Sequence, residues 1–304
     1  MTMLVYDPRC LLHTIPMEET ETPQRVLAIQ QKLSSLGLQT LPPREATTED
    51  LLRCHTPAYL ELVDKDIADV TRRGVRDDEM MTLSTGDTFV CPASKEAALA
   101  AAGGVLNAVD AVVNRQAHSV FCNVRPPGHH AKKGAGNGFC IFNNVAIGAR
   151  YAQAVHKINK IMIIDWDVHH GDGTEDIFQG DPSVSFFSTY QEGIFASPQT
   201  GTENHIPIAK DDQARLTIRR LFKETLPTKI ATFQPDLIFL SAGFDARMGD
   251  PLGNLNLTDE DFAEMTKDVK TAAGNCPIIS VLEGGYNCDG IASASLAHVK
   301  ALMA

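Results

Sequence analysis

The chain has 304 residues, of which 43% are hydrophobic and 21% charged, and this is the composition of an ordinary globular protein. Its formal net charge of -11 argues against a nucleic-acid partner, because a surface that binds nucleic acid carries a basic stripe. A chain of this length buries about 75% of its unfolded surface, so its core needs no disulfides.

The cysteines and the N-terminus predict the compartment. The seven cysteines are scattered and form no Cys-x-x-Cys motif, which is typical of reduced thiols in the cytoplasm. Residues 1–9 lack the apolar core of a signal peptide. No run of 18 apolar residues is present, so we expect no membrane span and no membrane partner. Apolar helix faces can serve a core or an interface, which leaves the oligomeric state open.

Six short apolar runs alternate with longer helical patterns along the chain. The predicted strands cover residues 3–6, 119–124, 161–165, 184–188, 237–242 and 278–282. The predicted helices cover residues 23–36, 95–114, 215–233, 262–273 and 291–303. Several of the strands are apolar on both faces, as strands in a buried parallel sheet are. The alternation predicts right-handed βαβ units and one open α/β sheet, in a single domain over residues 1–304.

Local signals support two of these helices and predict a break in a third. Thr22 followed by Pro23 offers an N-cap and a proline at the first helical position. Thr258 and Asp261 have the spacing of a capping box. Pro227 lies inside the predicted helix 215–233, so we expect it to break or kink that helix.

Histidine, aspartate and tyrosine side chains follow four of the predicted strands. These loops are Arg125-Pro-Pro-Gly-His-His130, Asp165-Trp-Asp-Val-His-His-Gly-Asp-Gly173, Gly243-Phe-Asp245 and Glu283-Gly-Gly-Tyr286. In an open α/β sheet, ligands bind at the carboxyl ends of the strands. We therefore expect the four loops to form one site.

The loop after residues 161–165 has the pattern of a metal site. Asp165, Asp167 and His169 alternate there, and the two-residue period of extended chain points them to the same side. Together with Asp245, the pair Asp167 and His169 offers two carboxylates and one imidazole. Three protein ligands that leave one position open are typical of catalytic zinc.

Two other metal chemistries fit the same residue types. Two carboxylates and one histidine also suit non-haem iron(II), although such oxygenases use a β-rich scaffold that this chain does not resemble. A two-metal hydrolase of the arginase type needs further ligands for its second ion, and His170 and Asp172 lie nearby. Spacing alone therefore leaves the two-metal alternative open.

The adjacent histidines His129 and His130 fit proton transfer, because an activated water needs a base with a pKa near 7. Asp165 and Asp172 are carboxylates that can fix the orientation of these rings. Tyr286 follows two glycines and can donate a hydrogen bond to a developing oxyanion. Two structural histidines and a core tyrosine are the alternative interpretation.

The glycine-rich stretch 133–139 does not predict a nucleotide site. It lacks the Gly-Lys-Ser/Thr ending of a P-loop, and no Gly-x-Gly-x-x-Gly follows a predicted strand. Cys140 lies beside this stretch. A metal-activated water makes a cysteine nucleophile unnecessary, and buried cysteines are usually inert.

Five motifs together resemble the histone deacetylase and acetylpolyamine amidohydrolase family, in its bacterial class II-like form. They are Arg125-Pro-Pro-Gly-His-His-Ala, Asn137-Gly-Phe-Cys-Ile-Phe-Asn-Asn, Ile164-Asp-Trp-Asp-Val-His-His-Gly-Asp-Gly-Thr, Ser241-Ala-Gly-Phe-Asp-Ala and Glu283-Gly-Gly-Tyr-Asn. The resemblance implies an arginase/deacetylase-like three-layer α/β fold, with a central, mainly parallel sheet of about eight strands between helices. It also implies a zinc-dependent amidohydrolase that removes an acetyl or other acyl group from an amine.

The resemblance implies four groups of site residues. The zinc ligands would be Asp167, His169 and Asp245. The catalytic groups would be His130 as general base and acid, His129 as its electrostatic partner, Tyr286 on the acyl carbonyl, and Asp165 and Asp172 behind the histidines. The substrate-binding residues would be Gly138, Phe139, Phe195 and Leu252. A structural potassium ion would lie near Asp165, Asp167, His169 and Ser188.

The chain departs from the family pattern beside Ser188. Tyr190 stands where the family often has histidine, and the loop 191–202 lacks the usual Phe-Pro-Gly-Thr-Gly. The apolar Leu252 resembles the residue that lysine deacetylases have at this position, whereas polyamine-selective relatives can carry an acidic residue there. The expected substrate is therefore an acetyl-lysine peptide or protein. An acetylpolyamine is the alternative, and a non-catalytic module that binds acyl-lysine is the third hypothesis.

The negative charge is concentrated around the expected metal site. Residues 161–209 contain eight acidic side chains and no Lys or Arg. We interpret this excess as metal ligands and the carboxylates behind them, rather than as a surface for cationic substrates. The remaining acids of the segment are expected to face solvent. They are Glu175, Asp176, Asp181, Glu192 and Glu203.

Overall fold

The computed structural model describes residues 1–15, 20–74, 80–196, 198 and 202–304. The predicted loop 191–202 is therefore described only in part. The strands are β1 (Thr2–Val5), β2 (Ser119–Cys122), β3 (Ile161–Asp165), β4 (Val184–Gln191), β5 (His205–Ile208), β6 (Leu237–Ala242) and β7 (Ile278–Leu282). They form one seven-stranded sheet in the order β1-β2-β7-β6-β3-β4-β5. Every neighbouring pair is parallel.

Helices cover both faces of the sheet. They are α1 (Pro23–Leu33), α2 (Thr48–Leu52), α3 (Pro57–Arg73), α4 (Ser94–Val113), α5 (Asn144–His156), α6 (Asp172–Phe178), α7 (Ala214–Arg220), α8 (Leu226–Phe233), α9 (Asp259–Ala273) and α10 (Cys288–Met303). One apolar core joins the sheet to α3, α4 and α5. A second core joins the opposite face to α1, α8, α9 and α10. The predicted three-layer α/β architecture is confirmed.

The described part of the chain has seven strands rather than about eight, and one of them was not predicted. Strand β5 has the sequence His-Ile-Pro-Ile and pairs only with β4, at the edge of the sheet. A proline within a short run argues against a central strand but is tolerated at an edge, where one side of the backbone is unpaired. Its partner β4 extends to Gln191, three residues beyond the predicted end.

Helix ends follow the local chemistry in two places. Thr258 and Asp261 form the predicted capping box at the start of α9. The predicted helix 215–233 is divided into α7, a π-helical turn over Leu221–Thr225, and α8 with Pro227 in its first turn. Since proline lacks an N–H to donate, the chain tolerates it only where a helix restarts.

Helix α4 has an apolar composition because it is a core helix. Among the described helices, it alone is long and apolar enough to cross a membrane by length and composition, and 72% of that apolar window is buried inside the protein. A Cβ atom on Gly104 would lie 2.5 Å from Val5 Cγ1, so glycine lets the helix approach β1 closely.

Candidate active site

Four strands that are neighbours in the sheet carry the loops singled out in the sequence. Strands β2, β7, β6 and β3 lie side by side. They lead into the loops that hold His129, Tyr286, Asp245 and Asp167, respectively. Because the strands are parallel and adjacent, the four loops meet at one rim, at the carboxyl ends of the strands.

Asp167, His169 and Asp245 converge at the centre of this rim. The His169 Nδ1 atom lies 3.1 Å from Asp167 Oδ1 and 3.2 Å from Asp245 Oδ2. One ligand atom of each residue lies within 4.8 Å of the other two, and all three side chains are buried. The loop backbone orients the carboxylates, since Asp167 Oδ2 accepts from Gly284 N at 2.8 Å and Asp245 Oδ1 accepts from Val168 N at 2.8 Å.

The three side chains fit a bound cation. The buried Asp245 Oδ2 atom accepts no hydrogen bond from the described residues, although such an atom normally has a partner. The backbone leaves room for the carboxylates of Asp245 and Asp167 only because two neighbours are glycines. A Cβ on Gly284 would lie 2.1 Å from Asp245 Oδ2, and a Cβ on Gly243 would lie 2.0 Å from Asp167 Oδ2.

The electrostatics of the three groups also favour a positive charge between the carboxylates. Burial and the charge of Asp167 raise the pKa of Asp245. Burial opposes protonation of His169, yet its hydrogen bond to Asp167 and the nearby carboxylate of Asp245 raise its pKa to about 10. The protein alone therefore places a protonated imidazole between two carboxylates, and a metal cation can take over that compensation.

Each of the adjacent histidines His129 and His130 lies against its own carboxylate. His129 Nδ1 is 3.0 Å from Asp165 Oδ2, and His130 Nδ1 is 2.8 Å from Asp172 Oδ1. The two ring centroids are only 3.9 Å apart. The structure thus brings together two adjacent His–Asp pairs.

The two rings differ in their protonation. Burial and the positive charge of His129 lower the pKa of His130 to about 3. Burial also disfavours a charged His129, but the carboxylates of Asp167 and Asp165 raise its pKa well above the ordinary value. His130 is therefore neutral, whereas His129 carries a positive charge.

Glu283 supports this pair of histidines and was not among the predicted site residues. Its Oε2 atom accepts from Gly128 N at 2.7 Å and from His129 N at 3.1 Å. The side chain is fully buried, and burial raises its pKa to about 7. The role of Glu283 is not visible in the sequence, where it is only the residue before Gly284. Hydrogen bonds from a side chain to backbone N–H groups leave no periodic pattern of residue types.

Arg25, on helix α1, holds the loop that carries Tyr286. Its Nε atom donates to Gly285 O at 2.6 Å, and its guanidinium carbon lies 4.8 Å from the centroid of the Tyr286 ring. Glu21 neutralises it at 2.7 Å. The sequence offers one indication of this role: Arg25 lies on the face of α1 that also carries the buried Ile29.

Tyr286 stands at the edge of the rim with its hydroxyl protonated. Burial and the charge of Asp245 raise its pKa well above the ordinary value, so the phenol is a hydrogen-bond donor. The Asp250 carboxylate fixes its position, because it accepts from Tyr286 N at 2.7 Å and from Leu252 N at 2.9 Å. Asp250 was not predicted, and it couples the half-buried Leu252 to the tyrosine.

Phe139 and Phe195 both lie beside the rim, although they come from different loops. The Phe139 ring centroid is 5.7 Å from that of Tyr286, and the Phe195 centroid is 5.0 Å from that of His130. Gly138 directly precedes Phe139 and has a φ of 53°. A Cβ at Gly138 would lie 2.5 Å from His130 Cδ2 and 2.9 Å from Phe195 Cε1, so glycine keeps this space open.

The other histidine of the second His-His pair does not join the metal ligands. His170 Nδ1 lies 2.9 Å from Ser188 Oγ, and its Nε2 lies 3.0 Å from Glu175 Oε2. The Tyr190 ring packs against the His170 ring, with centroids 5.0 Å apart. Ser188 also pairs in register with Asp165.

The residues that would serve a second, bridged metal ion have other contacts. The Asp172 carboxylate is shared by His130 at 2.8 Å and by Lys132 Nζ at 2.9 Å, and His170 points toward Ser188. Neither lies among the three central ligands. This geometry argues against the two-metal alternative at the rim.

Two further side chains, Glu175 and Cys140, are buried. Glu175 was expected to face solvent, and that prediction is wrong, because it is buried against His170. The residue lies on the inner face of α6, and its acidic character concealed this. Cys140 is fully buried, and burial and the charge of Glu283 raise its pKa well above the ordinary value, so its thiol is protonated and unsuited to nucleophilic attack.

The known proteins that resemble this chain belong to one family. The model of the histone deacetylase domain matches residues 19–302. Polyamine deacetylase HDAC10 of Mus musculus is 35% identical over 324 residues, which cover 98% of this chain and 46% of the relative. Histone deacetylase 14, chloroplastic, of Arabidopsis thaliana is 36% identical over 281 residues, which cover 86% of this chain and 64% of the relative.

A solved structure agrees with these relatives. The crystal structure of the HDA15 HD domain matches with a TM-score of 0.85 and 30% sequence identity, over 99% of this chain and 90% of that chain. The chain spans about half the length of the mouse relative, at 46%. The family match covers nearly all of the chain and includes every loop of the rim. The chain belongs to the histone deacetylase family.

Proposed function

We propose that the protein is a zinc-dependent amidohydrolase that removes an acetyl group from an acylated amine, with acetyl-lysine as its main substrate. One observation carries this proposal. The three candidate ligands Asp167, His169 and Asp245 lie beside a neutral histidine, a charged histidine and a protonated tyrosine. A module that only binds acyl-lysine needs none of these three groups.

Zinc would be held by Asp167, His169 and Asp245. Two carboxylates and one imidazole with an open fourth position are typical of a catalytic zinc site, and the buried Asp245 Oδ2 atom, which accepts no hydrogen bond from the described residues, supports it. When bound, zinc supplies Lewis acidity toward a water molecule and toward a carbonyl oxygen. A structural potassium ion near Asp165, Asp167, His169 and Ser188 is a further part of the proposal.

The two adjacent histidines would have different roles, proton transfer for His130 and stabilisation of negative charge for His129. His130 is neutral, and Asp172 holds its Nδ1 atom, so Nε2 is available to take a proton from the attacking water and to return it to the departing amine. His129 keeps its positive charge beside Asp165. It would stabilise the negative charge that develops as the water attacks the carbonyl carbon.

Tyr286, the two phenylalanines and Gly138 would position the substrate. The Tyr286 hydroxyl would donate a hydrogen bond to the carbonyl oxygen, most strongly when that oxygen becomes an oxyanion. Phe139 and Phe195 would enclose the aliphatic stem of the substrate and exclude water. The Gly138 carbonyl would accept from the amide N–H.

The second candidate substrate is an acetylpolyamine. The similarity to relatives named polyamine deacetylases favours it. Leu252 favours acetyl-lysine instead, because an apolar residue in the loop next to Tyr286 offers no charge to a polyamine cation. The side chain at position 252 therefore separates the two candidates.

A substrate panel on the zinc-loaded and zinc-free protein tests the proposal. We expect zinc-dependent release of acetate from acetyl-lysine peptides, and lower kcat/KM for acetylspermidine and acetylputrescine. Leu252→Glu is expected to shift the ratio of the two kcat/KM values about tenfold toward acetylspermidine, which corresponds to about 1.4 kcal/mol of added attraction to a cation.

Leu216→Glu is the matched control, because Leu216 is 62% exposed on α7 and lies on a different element from the rim. It should leave the ratio unchanged. Preference of the wild type for acetylpolyamines would contradict the assignment to acetyl-lysine. Zinc binding without turnover of any acyl amine in the panel would favour the binding module.

A further inference from the structure

A second group of metal-ligand side chains lies outside the rim, at the edge of the sheet. His170, Glu175 and His205 each place one ligand atom within 4.8 Å of the other two. The His170 Nε2 atom is 3.0 Å from Glu175 Oε2, and the His205 Nδ1 atom is 3.6 Å from Glu175 Oε1. We name these three residues the edge cluster.

The edge cluster joins three elements that are distant in sequence. His170 follows β3, Glu175 lies on α6, and His205 begins β5. The side chains of Glu175 and His205 are only 3% and 6% exposed. The fold thus gathers two imidazoles and one carboxylate in a shielded place, in a segment that contains no Lys or Arg.

We propose that the edge cluster binds a second zinc ion. Two histidines and one glutamate that leave a fourth position open form a known type of zinc site. Zinc–ligand bonds of about 2.0–2.2 Å in a tetrahedron place ligand atoms about 3.3–3.6 Å apart. The separations of 3.0 Å to Glu175 Oε2 and 3.6 Å to Glu175 Oε1 lie within a few tenths of an ångström of this range, and the two imidazoles offer ligand atoms within 4.8 Å of each other.

Ser188 completes the arrangement from β4. Its Oγ atom lies 2.9 Å from His170 Nδ1. When Nδ1–H donates to this hydroxyl, the lone pair of Nε2 faces Glu175. Such a hydrogen bond to the outer nitrogen is typical of histidines that bind metals, because it fixes the ring and its tautomer.

A cavity gives an ion access to the cluster. It has a volume of about 480 Å³, and its lining includes Glu175, His205 and Asn204. The Asn204 Oδ1 atom is buried and accepts no hydrogen bond from the described residues. Asp181 also lines the cavity, and its carboxylate is neutralised by Arg150 at 2.6 Å. The open position of the ion would thus face a cavity wall that carries an oxygen without a partner.

The ion would connect the edge strand β5 to α6. This inference is independent of the proposed function, because His170 and His169 point to different partners. His169 contacts Asp167 and Asp245, whereas His170 contacts Ser188 and Glu175. Loss of one site leaves the ligands of the other in place.

Zinc binding to the metal-stripped full chain tests the proposal. Zinc would be titrated in competition with a chromophoric chelator, and thermal unfolding would be followed with and without zinc. We expect two equivalents in the wild type and one each in His205→Gln, Glu175→Gln and Asp245→Asn. In Asp245→Asn, saturating zinc should still raise Tm by about 5 °C, because an ion that binds only the native state stabilises it.

His118→Gln is the matched control, since His118 is an exposed histidine just before β2; it should keep two equivalents. The double variant Asp245→Asn/His205→Gln should bind no zinc.

Absence of zinc from Asp245→Asn, or two equivalents in both His205→Gln and Glu175→Gln, would overturn the edge site. Failure of the proposed function has a different result, namely acetate release by Asp245→Asn at the wild-type rate. Glu175→Gln keeps the test decisive if His205→Gln does not fold.

Discussion

The protein contains two buried clusters of imidazoles and carboxylates, and their surroundings differ. The central cluster, Asp167, His169 and Asp245, lies at the ends of two inner strands. Its neighbours are two further histidines and a tyrosine. The edge cluster lies beside the outermost strand β5, and its neighbours are the aromatic rings of Phe186 and Tyr190.

The comparison shows that ligand type alone does not make a catalytic site. Both clusters offer three protein ligands and an open position. Only the central one has a neutral base, His130, and a donor, Tyr286, within the same rim. At the edge cluster, His170 contacts a phenol, Tyr190, but its own hydrogen bonds go to Ser188 and Glu175 and not to a further histidine. We therefore propose turnover at the centre and a structural role for the edge.

Asp167→Ala is expected to have the largest effect and to separate the two clusters. It removes one ligand and an acceptor of Gly284 N, so the centre loses its cation. Deacetylation should fall by more than about 1,000-fold, since a metal ion contributes several kcal/mol to such a reaction. Zinc content should fall by one equivalent while the edge cluster keeps its ion.

Acetate release and elemental analysis of the same preparation measure these two quantities. Asp176→Ala, a half-buried aspartate on α6 that accepts from Lys133 N, is the control for removal of a carboxylate elsewhere. Activity of Asp167→Ala within tenfold of the wild type would contradict the assignment of the centre.

Tyr286→Phe is expected to have the second largest effect, and it probes the neighbours of the central cluster rather than its ligands. Loss of one oxyanion donor should lower kcat about 100- to 1,000-fold. Zinc content and KM should change little, because the phenol acts mainly in the transition state. Near-wild-type kcat for an acetyl-lysine peptide would exclude the assigned role of Tyr286.

The two clusters also differ in how well the sequence predicts them. The central ligands lie within short motifs at strand ends, where Asp167 and His169 follow a clear two-residue period. The edge ligands are separated by up to 35 residues between His170 and His205, and they meet only because β5 pairs with β4. That strand contains Pro207, which conceals it from a search for strands.

The sequence also did not reveal the residues that hold the site in place. Glu283, Arg25 and Asp250 act mainly through backbone N–H and C=O groups. Such bonds depend on how loops approach one another in space, and any carboxylate or guanidinium of suitable length can make them. The motifs at the strand ends therefore predicted which side chains meet at the rim, but not the groups that hold them in place.

Glu283→Gln is expected to have the smallest effect, because it keeps the shape of the support for the central histidines. The amide oxygen can still accept from Gly128 N and His129 N, and the buried carboxyl already has its pKa raised to about 7, so removing its charge costs little. The free energy of unfolding should fall by about 1 kcal/mol, and kcat by less than about tenfold.

Glu283→Ala leaves both N–H groups without a partner and should lower the free energy of unfolding by about 3 kcal/mol. Urea unfolding of the two variants measures the difference, with the exposed Glu192→Gln as control. Equal destabilisation by Gln and Ala would mean that the negative charge, rather than the acceptor, supports the histidines.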